Sequence, residues 1–284
     1  MSLRIIWWRF KQNKIALASL IVLFVLIIMA LIGPYLNSWG YSEQVLQKTN
    51  QRPGIEYWFG TDSLGRDLFT RLWYGARVSI LIGIVTSAVS VSMGTLYGSI
   101  SAVLGGKIDE VMMRIVEVFY AVPFLLYVIL LMLIMEPGIK TIIIALATVC
   151  WFNTARVVRG QVLKLKEEEF FLAARLLGAG KIRLIVHHIL PNVTGHIIVM
   201  FVVVVSEAVF VEAFLSFLGL GVSVPKASLG ILAKEGIQGI RSYPWQLFFP
   251  AVFISLLMLS LNLIGDGLRD ALDPKIAVKK RAEL

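Results

Sequence analysis

The sequence predicts an all-α, polytopic membrane protein with six transmembrane helices, and three observations predict it. Hydrophobic residues make up 58% of the 284 and charged residues only 16%, against roughly 25% charged in soluble domains. So apolar an interior cannot be covered by the polar surface available, and lipid must be the solvent for much of the chain. Six apolar runs are long enough to span, since about 20 residues at about 1.5 Å each cross a hydrocarbon core of about 30 Å. Finally, the basic residues stand at the ends of these runs rather than in one patch.

The runs lie near residues 15–32, 78–104, 111–135, 139–158, 195–218 and 245–264. Arg4, Arg9, Lys11 and Lys14 flank the first, as they would a secretory signal. Its apolar stretch is too long for a signal, and no small-x-small cleavage site follows, so it is expected to stay as an anchor. An even number of spans puts both termini on one side. Residues 1–14, the Lys107 turn, residues 156–183 and the C-terminal tail hold 17 of the 27 Lys and Arg. The positive-inside rule then makes residues 1–14, 159–194 and 265–284 cytoplasmic. Residues 34–76 form an extracytoplasmic loop, and a second outer segment, 219–244, is rich in Gly, Pro and Ser. No internal repeat or soluble domain divides residues 1–284, which read as one membrane domain.

Several chemistries lack their residues. The net charge of +9 comes with no element that reads nucleic acid. One cysteine, Cys150, excludes an intrachain disulfide and a cysteine-based metal cluster, and its apolar run makes it core filler. "GGKI" at 105–108 lacks the first glycine and the hydroxyl residue of a phosphate loop, and there is no His-Glu-x-x-His. His187, His188 and His196 sit at the cytoplasmic border, and adjacent histidines on a helix point about 100° apart, so no metal site is expected. Nor is there a nucleophile–base pattern, so the chain is not read as an enzyme.

Charges inside spans cost several kcal/mol and face a partner or a cavity. Asp109, Arg114 and Glu117 begin the third span, and Arg114 and Glu117, three apart on one helical face, are read as a local ion pair. Glu207 and Glu212 are the candidates for a translocation path. Counted from Gly195, Glu207 lies about 18 Å into the fifth span and Glu212 near its outer mouth. Five residues apart, they face directions about 140° apart, so one faces a path and the other a neighbouring helix. "GTLYG", residues 94–98, allows close helix approach.

The polar stretch "KLKEEEFFLAARLLGAGKIRLIVHHILPN", residues 164–192, interrupts this pattern. Residues 167–177 predict a short helix with Phe170, Phe171, Ala174 and Leu177 on one face. Gly178-Ala179-Gly180 ends it, and a second amphipathic piece, 181–190, runs to Pro191. By itself this is a bent helix pair at the cytoplasmic face, either docking a protein or lying on the membrane surface.

"AARLLGAGKIRLIVHHILP", residues 173–191, resembles the conserved cytoplasmic loop of bacterial ABC importer permeases. That pattern reads Glu-Ala-Ala, three residues, Gly, nine residues, Ile-x-Leu-Pro. Ala173, Ala174, Gly178, Leu190 and Pro191 match in register; Leu172 stands in place of the Glu and His188 in place of the first Ile. "FGTDSLGRDLFTRLWYGARVSI" (59–80), "SFLGLG" (216–221) and "LNLIGDGLRDALDPK" (261–275) are similar to the second permease of dipeptide, oligopeptide and nickel importers. The resemblance implies a type I importer permease fold and coupling through the five matching residues. It implies a homologous permease beside this chain, two ATP-binding subunits that bind ATP and Mg, and an extracytoplasmic substrate-binding protein; no cofactor is expected in this chain. Di- or oligopeptides are the expected cargo, with nickel or a metal chelate as the alternative. An ATP-independent channel or carrier is the different-class alternative. In "GTDSLGRD", Asp62, Gly65, Arg66 and Asp67 are read either as an outer gate and docking element or as a loop cap pairing within itself.

Overall fold

The computed structural model describes residues 3–136, 138–222 and 226–272. Of the expected C-terminal tail, residues 273–284 lie outside the described residues, as do 223–225 of the second outer segment. The described residues form helices, with one isolated bridge between Thr61 and Asp67. Five helices are long and apolar enough to cross a membrane, and a bent pair supplies a sixth crossing if it counts as one span.

A short amphipathic helix, α1 (Leu3–Gln12), precedes α2 (Lys14–Ile32), whose start is capped by Asn13 Oδ1 accepting from the Ala16 amide at 3.1 Å. The next span, α3 (Leu68–Leu104), has 37 residues, about 55 Å of helix. It begins ten residues before the expected span and well inside the expected outer loop. The reason is local: Asp67 caps it, accepting from the Thr70 amide at 2.8 Å, so helix starts where the polar motif ends.

The third expected span is not one helix. α4 (Gly106–Tyr120) and α5 (Phe124–Ile134) meet at 79°. Pro123 causes the break, because it lacks an amide hydrogen and pushes Val122 out of helical geometry. α6 (Ile139–Leu165) follows, then α7 (Glu169–Leu176), one short helical turn α8 (Lys181–Arg183), a π-helical turn at Leu184–Ile189 and α9 (Leu190–Leu218). From Lys181 to Leu218 the chain is continuously helical. Pro191 therefore does not stop the second amphipathic piece; it stands at the start of α9 directly after the π-helical turn, where the regular α-helical bonding is already interrupted. α10 (Leu229–Gln238) and α11 (Trp245–Leu272) complete the bundle.

One core cluster joins α2, α3, α9, α10 and α11 through Leu26, Phe69, Trp73, Val209, Leu229 and Phe253. α3 and α6 cross closely because a Cβ on Gly94 would stand 2.6 Å from Thr154 Cβ, and one on Gly98 2.3 Å from the Ala155 carbonyl. The expected role of this glycine pair in helix approach is what the packing holds. At one end of the bundle lie α1, α7 and Leu272; at the other lie residues 33–67 and α10.

Candidate functional site

At the α1 end, α7 is a small platform with one face fixed and its tip bare. Phe171 and Ala174 are buried with Ala102 of α3, Val158 and Val162 of α6, and Leu184, Ile189 and Val193 beyond the turn. The helix closes with Gly178 at φ +82, the Gly178 amide donating to Arg175 O and the Ala179 amide to Ala174 O, both at 3.1 Å. This two-bond stop demands a left-handed residue, which glycine supplies without strain. Leu176, Leu177 and Ile182 then project at 88%, 89% and 79% exposure. Leu177 thus leaves the apolar face expected for it with Phe171 and Ala174, because the turn swings it outward. Of the five motif residues, Ala173, Gly178 and Pro191 are exposed, Leu190 is half-buried and Ala174 faces inward. They come together around the turn in two roles, base and tip.

Behind this platform stands an arrangement that the sequence did not single out. Asp109, at the start of α4, accepts from Arg159 Nε at 2.7 Å and Nη2 at 2.6 Å, and from the Ser101 hydroxyl. Lys166 Nζ donates to the Ala102 carbonyl at 2.7 Å. The ends of α3, α4 and α6 are thereby tied together directly above α7. Arg114 and Glu117 form the expected local pair, at 3.2 Å; Asp109 does not join it, since its carboxylate is taken by Arg159 fifty residues away.

The two glutamates of α9 part company. Glu212 is fully buried and accepts from Ser79 at 2.5 Å and Ser216 at 2.8 Å, with the Ser228 hydroxyl as a third partner. These serines belong to α3, α9 and the start of α10, so Glu212 is a junction between helices. Glu207 is exposed on the bundle surface, beside Cys150 of α6. Among the described residues no hydrogen-bond or ion-pair partner meets its carboxylate, and a charge within a span ordinarily faces a cavity or a partner.

At the opposite end, Asp62, Arg66 and Asp67 are all buried. Asp62 Oδ2 accepts from Arg66 Nε at 2.6 Å, and its Oδ1 accepts from the Leu64 and Arg66 amides at 2.8 and 3.0 Å. Arg66 reaches Glu235 of α10 at 3.1 Å, and Arg71 reaches the same carboxylate at 2.9 Å. Asp67 holds Thr70 and the Asn37 amide at 2.8 Å. Gly65 turns at φ +72, where a Cβ would meet the Val45 carbonyl at 2.0 Å. Gln246 of α11 donates to Asn50 and to the Thr61 carbonyl, both at 2.9 Å. The motif is therefore a clasp joining loop, α3, α10 and α11. Beside it, Lys48 pairs with Glu56 and lies over Trp39 and Tyr57, and the hydrogen bond it donates to the Glu56 carboxylate holds its pKa above the ordinary lysine value. Arg71 was within sight of the motif, but Glu235, 164 residues further on, has no local signal. Among the described residues no group of His, Cys, Asp or Glu is placed to hold a metal ion.

Comparison with known proteins covers the same ground. Residues 94–278 match the family described as binding-protein-dependent transport system inner membrane component, and residues 2–53 match the N-terminal transmembrane domain of oligopeptide transport permease C. The chain is 50% identical over 271 residues to the dipeptide transport system permease protein DppC of Bacillus subtilis, covering 95% of this chain and 85% of that protein. It is 49% identical over 268 residues to the oligopeptide transport system permease protein OppC of the same organism (94% and 88%), and 43% identical over 269 residues to that of Escherichia coli K12 (94% and 89%). A helical membrane bundle matched over nearly its whole length to transport permeases leaves one placement: the chain belongs to the family of binding-protein-dependent transport system inner membrane components, as a membrane subunit of an ABC importer.

Proposed function

We propose that this chain is one of two permease subunits of an importer for di- or oligopeptides, driven by two ATP-binding subunits docked on α7. The carrying observation is the platform itself: an apolar tip of Leu176, Leu177 and Ile182 on a base packed into three long helices. An exposed apolar knob of this kind favours a protein partner over water, and its rigid base transmits a displacement instead of absorbing it. ATP and Mg belong to those partners; closing of the pair below biases a two-state bundle above. The basic excess supports a cytoplasmic α7 and cytoplasmic termini, with the Asp62–Arg66–Glu235 clasp outside, where it shapes the face that meets a substrate-binding protein. Peptide cargo is supported by the dipeptide and oligopeptide names of the relatives.

Within this reading Glu207, not Glu212, faces the path between the two permeases, because Glu212 is consumed by its serines. Two measurements test the proposal. A strain lacking this chain is offered a radiolabelled dipeptide, a pentapeptide and nickel ion separately; peptide uptake should fall and return with the intact gene. Gly178→Asp should reach the membrane at normal level yet abolish uptake, since it burdens the turn and puts a charge in the docking tip. Normal uptake by that variant would remove the coupling assignment.

A further inference from the structure

The outer surface of the bundle carries a groove between α2 and α11 that the transport reading leaves unused. It encloses about 320 Å³ and opens outward along its length. We propose that it holds one anionic phospholipid from the leaflet at the α1 end. The inference rests on the membrane location of the chain and not on the transport reading.

Three features of the groove match three parts of such a lipid. At its mouth stands Lys14, exposed and with no carboxylate partner among the described residues. The first turn of α2 holds no acidic residue, so the positive end of the helix dipole adds to the lysine charge instead of being offset. A phosphate supplies the missing anion. One turn and a half deeper, about 7.5 Å along the axis, the groove is floored by Ser19, and further in by Ser260. These serines are only 7% and 3% exposed, and neither hydroxyl has a hydrogen-bond partner among the described residues. Unpaired hydroxyls at the edge of hydrocarbon are costly, and the ester carbonyls of a glycerolipid lie just below its phosphate, where such donors are needed. Beyond them Val22, Leu256 and Leu259 give an apolar trough for an acyl chain.

The neighbouring helix sets the level. α1 is anchored to the end of α11 by Phe10, buried with Ala16, Ile264 and Ala271, and leaves Trp7 and Trp8 exposed. Exposed tryptophans beside basic residues mark the headgroup region, which places Lys14 there too. The other nearby cations are engaged: Lys11 lies over the Trp7 ring at 5.0 Å, and Arg9 donates to the Ala271 carbonyl at 3.4 Å. Lys14 is thus the side chain that selects. An anionic headgroup is preferred over a zwitterionic one because choline would return a positive charge to an already positive mouth.

The test uses the chain purified from membranes with its associated subunits and placed in nanodiscs of equal phosphatidylglycerol and phosphatidylcholine. Native mass spectrometry then counts lipids that survive gentle stripping. One phosphatidylglycerol per copy should be retained, with a preference of about fivefold over phosphatidylcholine, as one near-surface lysine provides. Lys14→Gln should bring that preference close to unity, Lys14→Arg should keep it, and Lys140→Gln should not alter it. Ala18→Phe, which fills the groove from its open side, should abolish retention of both lipids. Equal retention of the two lipids by the unaltered chain overturns the proposal, as does undiminished preference in Lys14→Gln. A cysteine at Ala18 that a lipid-soluble maleimide cannot reach overturns it in another way, by showing that a subunit covers the groove. Peptide uptake is read separately, so failure here leaves the transport reading standing.

Discussion

Glu207 and Glu212 share a helix and a residue type but have opposite surroundings, and this separates their expected phenotypes. Glu212→Leu removes the acceptor of three buried hydroxyls, each then left unpaired at about 1–3 kcal/mol. The purified protein should melt earlier, and membrane levels should fall. Glu207→Gln should leave melting unchanged and alter peptide uptake; a change in melting without a change in uptake would reverse the two assignments. The sequence located both glutamates and required them to face apart, because helical geometry fixes the angle between positions five apart. It did not say which was which. Ser216, one turn from Glu212, was visible, but Ser79 and Ser228 come from other elements and only the packing brings them in. Asp109 was seen as a charge at a helix start, whereas Arg159, fifty residues away, gave no hint that it was the partner.

At the scale of elements, local chemistry decided most boundaries. The stop after α7 was legible in Gly178-Ala179-Gly180, since few other sequences satisfy its left-handed turn. The start of α3 was misplaced because an apolarity count ignores Asp67 as a cap. The break between α4 and α5 was written in Pro123 and overlooked inside an otherwise suitable run. α10, short and set among glycines, has too little apolar sequence to announce itself; it is held by Glu235 against Arg66 and Arg71. Glu235→Gln should therefore loosen this helix first. The cost is expected at about 1–3 kcal/mol, below that of a fully buried pair because Glu235 keeps some contact with solvent. Faster labelling of a cysteine placed at Ile237, with melting lowered only modestly, is the expected result. Unchanged labelling would mean that α10 is held by its apolar face alone.

For the whole molecule, the prediction concerns sidedness. In a Cys150→Ser background, cysteines at Ile55 and Leu177, 99% and 89% exposed, stand at opposite ends of the bundle. A membrane-impermeant maleimide added to intact cells should label the first and reach the second only after the membrane is opened. The reverse pattern would invert the orientation drawn from the lysine and arginine distribution. Class and a span number of five to six were legible because they depend on sums over many residues, which single misplacements barely disturb; the orientation is drawn from a sum of the same kind and is what the labelling tests. The tertiary ties were not legible, because each depends on one pair far apart in the chain.

The uninterrupted length of α3 has a mechanical consequence. Its first turn is bolted into the Asp62–Arg66–Glu235 clasp through Asp67 and Arg71, and its last turn into the Asp109–Arg159 tie above α7 through Ser101. No proline divides it, in contrast to the jointed α4–α5 pair. A stiff beam fixed at both ends cannot tilt at one end alone, so under the proposed docking on α7 a push there would arrive at the far clasp as a rigid rotation. The bundle would then open one mouth and close the other in a single stroke, with α3 as the lever and the proline joint as the part that yields.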